Sequence, residues 1–293
     1  MEYLNTLTHT AQTGRYPHRS SKDVLQYRSA SRFSIAQEAL NILEREFRVE
    51  VAETQEAVEE AHRLRYQVYC LERHYEKSDT GLEIDEFDHR SHHVILRHRA
   101  TGQAMGTVRL VSSRADADGH DLPIERLCAP RLLEHLPRQT TAEISRFAVS
   151  KRLRGTAGAS ASLIRIGLMQ GIMQVSHAHG LTHWCAIMER SLLRLLGSSG
   201  IHFHPMGPPV EHRGLRQPAY AGIDRILARA RREEPAVWDF ATRGGRLVQT
   251  AGNGLTRRSP DSPQNQQRRA AGRVMFGPVE GRAQGEPAAG LSV

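Results

Sequence analysis

Glu143-Ile-Ser-Arg146-Phe-Ala-Val-Ser-Lys-Arg152-Leu-Arg154-Gly155, with Thr156-Ala157 behind it, is the stretch on which the fold turns. Glu143 and Arg146 bracket the start of an apolar run, Phe147-Ala-Val149, that reads as a strand. Arg152 to Ala157 then fits R-x-x-G-x-A, and a long helix-forming segment follows at once. A strand ending in a small-residue loop that opens a helix makes an anion site, because the first helical amides are unpaired and the dipole is positive there. A diphosphate or a phosphopantetheine suits such a loop. The six-residue pattern alone is weak, since short glycine patterns recur by chance.

The flanking segments supply the frame. Phe33 to Phe47 reads as a short helix and Phe47 to Ala52 as a first strand. Thr54 can cap a helix over 55–72, whose apolar positions Val58, Ala61, Leu64, Val68 and Leu71 recur at three- and four-residue steps. Arg65 and Tyr69 then share one face. His93–His98 and Ala104–Val111 read as a hairpin, Thr141–Val149 as a strand, and Ala159–His179 as a helix. Thr182–Met188, Ile201–Met206 and Gln217–Ile223 are further strand candidates. Glu189–Leu196 is expected to be helical, Ala228–Phe240 helical with a break at Pro235, and Ile124–Leu136 to hold one or two helical turns. The pattern, ending β-α-β-α-β, implies an α/β (α+β) layer fold with one mixed sheet.

Four blocks carry a resemblance. Arg65-Tyr-Gln-Val-Tyr69, Glu83-Ile-Asp85-Glu-Phe-Asp88, Gly106-Thr-Val-Arg109-Leu-Val and Glu143-Ile-Ser-Arg146-Phe resemble, in order and spacing, the acyl-homoserine-lactone synthases and N-acyl-amino-acid synthases, branches of the Gcn5-related N-acyltransferase (GNAT) fold. Met188-Glu189-Arg190-Ser-Leu-Leu-Arg194 and Gly207-Pro-Pro-Val-Glu211-His-Arg-Gly214-Leu-Arg216-Gln-Pro218 are similar to the exosortase-associated (PEP-CTERM system) acyltransferases. The resemblance implies a mixed central sheet whose strands splay, flanked by helices. It implies that an acyl thioester enters the splay, its pantetheine arm meeting the edge of Phe147 and Val149 and its phosphate end the loop of Arg152, Arg154, Gly155, Thr156 and Ala157. It makes Glu143 the candidate base, with Arg109 and Arg146 in the catalytic cleft, and places Asp85 and Asp88 with those arginines beside the acceptor.

The chemistry to be served is attack of an amine on a thioester, which needs a neutral amine, a positioned carbonyl and a proton acceptor. Glu143 can be that acceptor, or can pair with Arg109 or Arg146 to fix its strand. Arg109 lies between apolar Val108 and Leu110 and must point to the opposite face of the sheet. Asp85 and Asp88 fall on opposite faces of a strand but can converge in a turn; an ordinary solvated acidic loop is the alternative. Arg65 could bind an acceptor carboxylate bidentately, with Tyr69 beside it, or be a surface arginine. His202/His204 and His177/His179 each lack a third ligand, so no metal is expected. Cys185, between Trp184 and Ala186, reads as core rather than nucleophile.

The chain departs from the signal synthases in its long C-terminal extension, in the Gly207–Pro218 block and in the acceptor region. Their characteristic tryptophan early in the acceptor region has at most Tyr75 in its place, which puts S-adenosylmethionine as acceptor in doubt.

Net charge is +8, and from Arg243 onward eight arginines stand against Asp261, Glu280 and Glu286, so five of the eight net charges sit there. The expected organisation is an irregular segment 1–30, an acyltransferase domain 31–242 and a basic tail 243–293 expected to be disordered. The expected function is transfer of a fatty acyl group from acyl carrier protein or coenzyme A to a small amine such as an amino acid, without a cofactor, in an exosortase or exopolysaccharide setting. The alternatives are a homoserine-lactone synthase, a non-catalytic binder of acyl carrier protein, and a regulatory protein using its tail. No nucleic-acid motif is present. No run approaches a membrane span, and no signal peptide is read at the start. Three scattered cysteines, Cys70, Cys128 and Cys185, fit free thiols in a reducing cytoplasm.

Overall fold

The computed structural model describes residues 37–113, 121–151 and 160–248, all within the unit Met1–Gln249. Helix α1 (37–46) runs directly into β1 (Phe47–Val51). Helix α2 (Gln55–Tyr66) begins at Thr54, whose hydroxyl accepts from the Ala57 amide at 3.2 Å, as its sequence position predicts. Strands β2 (Ser91–His98) and β3 (Ala104–Ser112) form the expected hairpin. Three short 3₁₀ turns lead to β4 (Thr141–Val149). Then come α3 (Ala161–Ala178), capped by Ser160, β5 (His183–Met188) and α4 (Arg190–Ser198). The described chain closes with β6 (His204–Pro205), β7 (Val210–Glu211), β8 (Leu215–Gly222), α5 (Ile223–Glu233) and α6 (Pro235–Thr242).

The sheet order is β1-β2-β3-β4-β5-β8-β6, with β7 pairing β8. Every pairing is antiparallel except β4–β5. Side chains alternate across it. Val94 and Leu96 join the large cluster under α1, α3 and α6, while Ile95 joins Ala61 and Leu64 of α2 on the other face. Helix α3 lies close on the sheet through its glycines: a Cβ on Gly171 would come within 2.1 Å of Val94 Cγ1, and one on Gly167 within 2.9 Å of Leu96 Cδ1. No helix among the described residues is long and apolar enough to cross a membrane.

Three expectations change. The predicted helix 55–72 is α-helical only to Tyr66 and ends in a wider π-helical turn, Gln67–Glu72. The expected strand 201–206 shrinks to His204–Pro205, since Pro205 has no amide to extend a ladder. The folded part also passes the expected boundary at 242. Leu247 donates its amide to Thr242 at 3.0 Å, and Leu247 and Val248 pack on the main core. The segments 1–30 and 249–293 lie outside the described residues.

Candidate active site

Strand β4 makes the site by failing to stay regular. Thr107 pairs with Ala148 and Arg109 with Ser145, so Arg146 and Phe147 together oppose Val108 alone. This is a β-bulge, and Arg146 takes the left-handed φ of 52° within it. On the other side β4 pairs with parallel β5 at only three residues, Thr141, Ala142 and Glu143. Beyond Glu143 the two strands part. Glu72 of the π-helical turn holds the far end of β4, accepting from the Lys151 amide at 2.8 Å and from the Ser150 hydroxyl.

Two cavities of about 310 Å³ each adjoin this gap. The first is lined by Phe147 and Val149 of β4, by Ser162 and Arg165 at the start of α3, and by Leu192 and Leu195 of α4. The second is lined by the 83–87 loop, by Pro123 and Leu127, and by Glu143, His212 and Arg213. Tyr69, Ser145, Arg146, Ile187 and Arg216 line both. Tyr69 lies in the π-helical turn, with the Arg146 and Arg213 guanidiniums each 5.7 Å from its ring centre.

Behind the cavities stands a buried charge network. Arg65 donates through Nε to Glu83 at 2.5 Å and through Nη1 and Nη2 to Asp88 at 2.6 and 2.9 Å. Arg109 donates through Nη1 to Asp85 at 2.5 Å and to Asp88 at 2.8 Å, and through Nε to Ser145 at 3.1 Å. Arg146 reaches Glu83 at 2.8 Å and Asp85 at 2.9 Å. Burial opposes ionisation of Asp88, but Arg65 and Arg109 outweigh it and hold the carboxyl well below the usual range. Asp85 and Glu83 are also lowered, burial working against the same kind of contact: Arg109 and Arg146 for Asp85, Arg65 and Arg146 for Glu83. Asp85 and Asp88 converge because they sit in a turn: the Asp85 amide donates to Asp88, and the Phe87 amide to Asp85.

Glu143 stands apart from this network. It is buried and, among the described residues, forms an ion pair with neither Arg109 nor Arg146; its carboxylate accepts from the Ile124 amide at 2.6 Å. Burial pushes its carboxyl up to about 7, against the downward pull of the Ile124 bond and of the Arg109 and Arg146 charges. A carboxyl lining a cavity with such a value is suited to exchange protons near neutrality.

The structure thus brings Glu143, Arg146, Arg109, Tyr69, Asp85 and Asp88 together. Arg65, Asp88 and Arg109 line neither cavity; Arg109, expected in the catalytic cleft, is fully buried behind it against Asp85, Asp88 and Ser145. Arg65 is fully buried with all three donor nitrogens engaged, which leaves no face for an acceptor carboxylate; it positions Glu83 and Asp88 instead. Phe147 and Val149 line the first cavity, while Arg152, Arg154, Gly155, Thr156 and Ala157 lie outside the described residues. Sequence reasoning missed Glu83, whose only signal is its place in the acidic run, and Arg213 and Arg216, which sat inside a quoted block without a role. It also missed His62 and His93, which flank Asp88 at 3.8 and 3.6 Å and form with it the one potential metal-ligand group among the described residues. That group does not fit a divalent cation, because Asp88 already carries two guanidiniums that would repel it. His202 instead approaches Glu233 at 3.3 Å, and Cys70, Cys128 and Cys185 are buried and free.

Residues 64–163 match the family model described as Acetyltransferase (GNAT) domain. No curated protein matches the chain. Among solved structures, the CoA-dependent acyl-homoserine lactone synthase BjaI with MTA is 19% identical over 68% of this chain and 89% of its own, with a TM-score of 0.50. TofI, in a ternary complex with an inhibitor and MTA, is 20% identical over 66% of this chain and 99% of its own, with a TM-score of 0.49. FeeM, an N-acyl amino acid synthase from uncultured soil microbes, is 14% identical over 62% of this chain and 93% of its own, with a TM-score of 0.47. The family match covers the segment from α2 into α3 that contains the bulge and the charge network, and it is a match to an acyltransferase domain of the GNAT fold.

Proposed function

We propose that the chain moves a fatty acyl group from a thioester, on acyl carrier protein or coenzyme A, to the amine of an amino-acid-like acceptor. The observation that carries this is the pair of cavities meeting at Tyr69, Ser145, Arg146, Ile187 and Arg216, with Glu143 lining one of them. The cavity along Phe147, Val149 and the start of α3 takes the donor, because the parted β4 edge offers backbone groups to a pantetheine arm. The other cavity takes the acceptor. Glu143 accepts the proton as the amine nitrogen bonds to the carbonyl carbon; the C–S bond then breaks, and the departing thiolate takes up that proton from Glu143, directly or through water, so that the thiol leaves and the carboxylate is restored. Holding both substrates at the junction supplies the orientation, and the reaction so drawn needs no metal or cofactor. Free buried thiols fit a cytoplasmic setting, and the blocks at 188–194 and 207–218 support an exosortase-linked role.

The test uses the purified full chain with acyl-carrier-protein and coenzyme A thioesters, a panel of amines, thiol release and mass spectrometry. An N-acyl amine that disappears with Glu143→Gln is the expected result. Hydrolysis alone, or no turnover with either donor, overturns the reading. A lactone formed from S-adenosylmethionine, the kind of product implied by the name of BjaI, replaces it with the signal-synthase reading.

A further inference from the structure

The second cavity has a positive corner that the reaction as drawn does not use. Arg213 and Arg216 sit on the β7–β8 hairpin and line it, and Arg216 reaches the first cavity as well. Both side chains are only 14% exposed, and each keeps its Nε buried without a hydrogen-bond partner. Arg213 pairs with Glu76 through Nη2. Arg216 donates through Nη2 to Glu189 at 3.2 Å, but the same Glu189 oxygen also takes Nη1 of Arg73 at 3.2 Å. One carboxylate oxygen is thus shared between two guanidiniums, at distances longer than a charge-assisted bond prefers. The corner is short of one anion.

Two further observations agree. Arg213 holds a left-handed φ of 54° beside Gly214 at 93°, a conformation costly for a residue with a side chain and retained here at the cavity wall. His212, in the same lining, has its imidazole pushed down to about 4 by burial and by the charges of Arg213, Arg216 and Arg146, with Glu76 pulling the other way. The field there is positive. The same lining also holds Glu83, Asp85 and Glu143. A zwitterion therefore has a place for each end.

We propose that Arg213 and Arg216 bind the carboxylate of the acceptor, so that the enzyme acylates amines bearing a free carboxylate and discriminates against the same amine without one. This rests on the acyl-transfer reading above and deepens it. The shared chemistry is an α-amino carboxylate, whether an amino acid or S-adenosylmethionine.

The experiment measures steady-state transfer by the full chain with a long-chain acyl-coenzyme A and acyl carrier protein thioester. The acceptors are the twenty amino acids, S-adenosylmethionine, and the methyl ester and decarboxylated amine of whichever acid reacts best. The acid should exceed its ester and amine in kcat/KM by roughly a hundredfold. Arg213→Gln and Arg216→Gln should raise KM for the acid about ten- to a hundredfold, change kcat little and shrink the acid-to-ester ratio, and Arg213→Gln, at a residue that lines only the second cavity, should also leave the donor KM unaltered. Arg216→Lys should recover part of it. Thermal unfolding checks that the variants fold; if they do not, the wild-type acid-to-ester ratio decides. Equal use of acid, ester and amine by wild type overturns this proposal and leaves acyl transfer standing. Failure to acylate any amine overturns both. The preferred acid separates amino acid from S-adenosylmethionine.

Discussion

Arg65 and Arg109 on one side, Arg213 and Arg216 on the other, are the same residue type in two different situations. The first pair is fully buried and held by Glu83, Asp85 and Asp88, and neither lines a cavity. The second pair faces a cavity with a buried Nε each still to be satisfied. A guanidinium tied to several carboxylates away from any cavity holds structure together; one at a cavity wall with a donor to spare is a place for a ligand. Neither burial nor hydrogen-bond accounting alone distinguishes them, since Arg109 also keeps one buried Nη2 without a partner. Position at the cavity does.

The sharpest way to break that contrast is at Asp88, which accepts from both buried arginines. Asp88→Ala leaves two guanidiniums without their shared partner, and a loss of about 3–5 kcal/mol is expected in denaturant unfolding. A shift below about 1 kcal/mol would show that the network is not structural.

Next comes Glu143. Glu143→Gln mimics the protonated carboxyl, so stability should hold while acyl transfer falls roughly a hundredfold, about 2.7 kcal/mol in barrier. The pH profile carries the sign. The base is the ionised form and the carboxyl sits near 7, so wild-type rate should fall as pH drops through about 7. The residual rate of the variant should be flat there. A wild-type profile with no inflection near neutrality would remove the general-base role.

Arg213→Gly tests the other half of the comparison. It gives up the Glu76 pair but relieves the left-handed φ, terms of about 1 kcal/mol each and opposite in sign. The melting transition should move little while acceptor KM rises; a collapse in stability would make Arg213 structural like Arg65. Smallest of all is Glu86→Gln. Its pair with Arg126 is about half exposed on both sides, and the change in unfolding free energy should stay under about 1 kcal/mol.

Much of this was legible in the residues. The alternation in 93–98 and 104–111, the three- and four-residue steps of 55–66 and the Thr54 cap are local signals, and the elements lie where they point. Arg109 points away from Val108 and Leu110 because period two requires it. The π-helical turn at 67–72 and the bulge at Arg146 had no such signal. Both are irregularities that only neighbouring strands and contacts impose, and Tyr69 and the splay depend on them.

The sequence by itself determined the kinds of element, their order and the residues eligible for chemistry, since propensity, capping and periodicity act over a few residues. Tertiary structure alone decided which arginine stands at a cavity wall and which is buried behind it. It joined Glu83 to Arg65 and Arg146, which lie 18 and 63 positions away. It also lifted the Glu143 carboxyl to about 7, because desolvation depends on what surrounds a group in space and not on its neighbours along the chain.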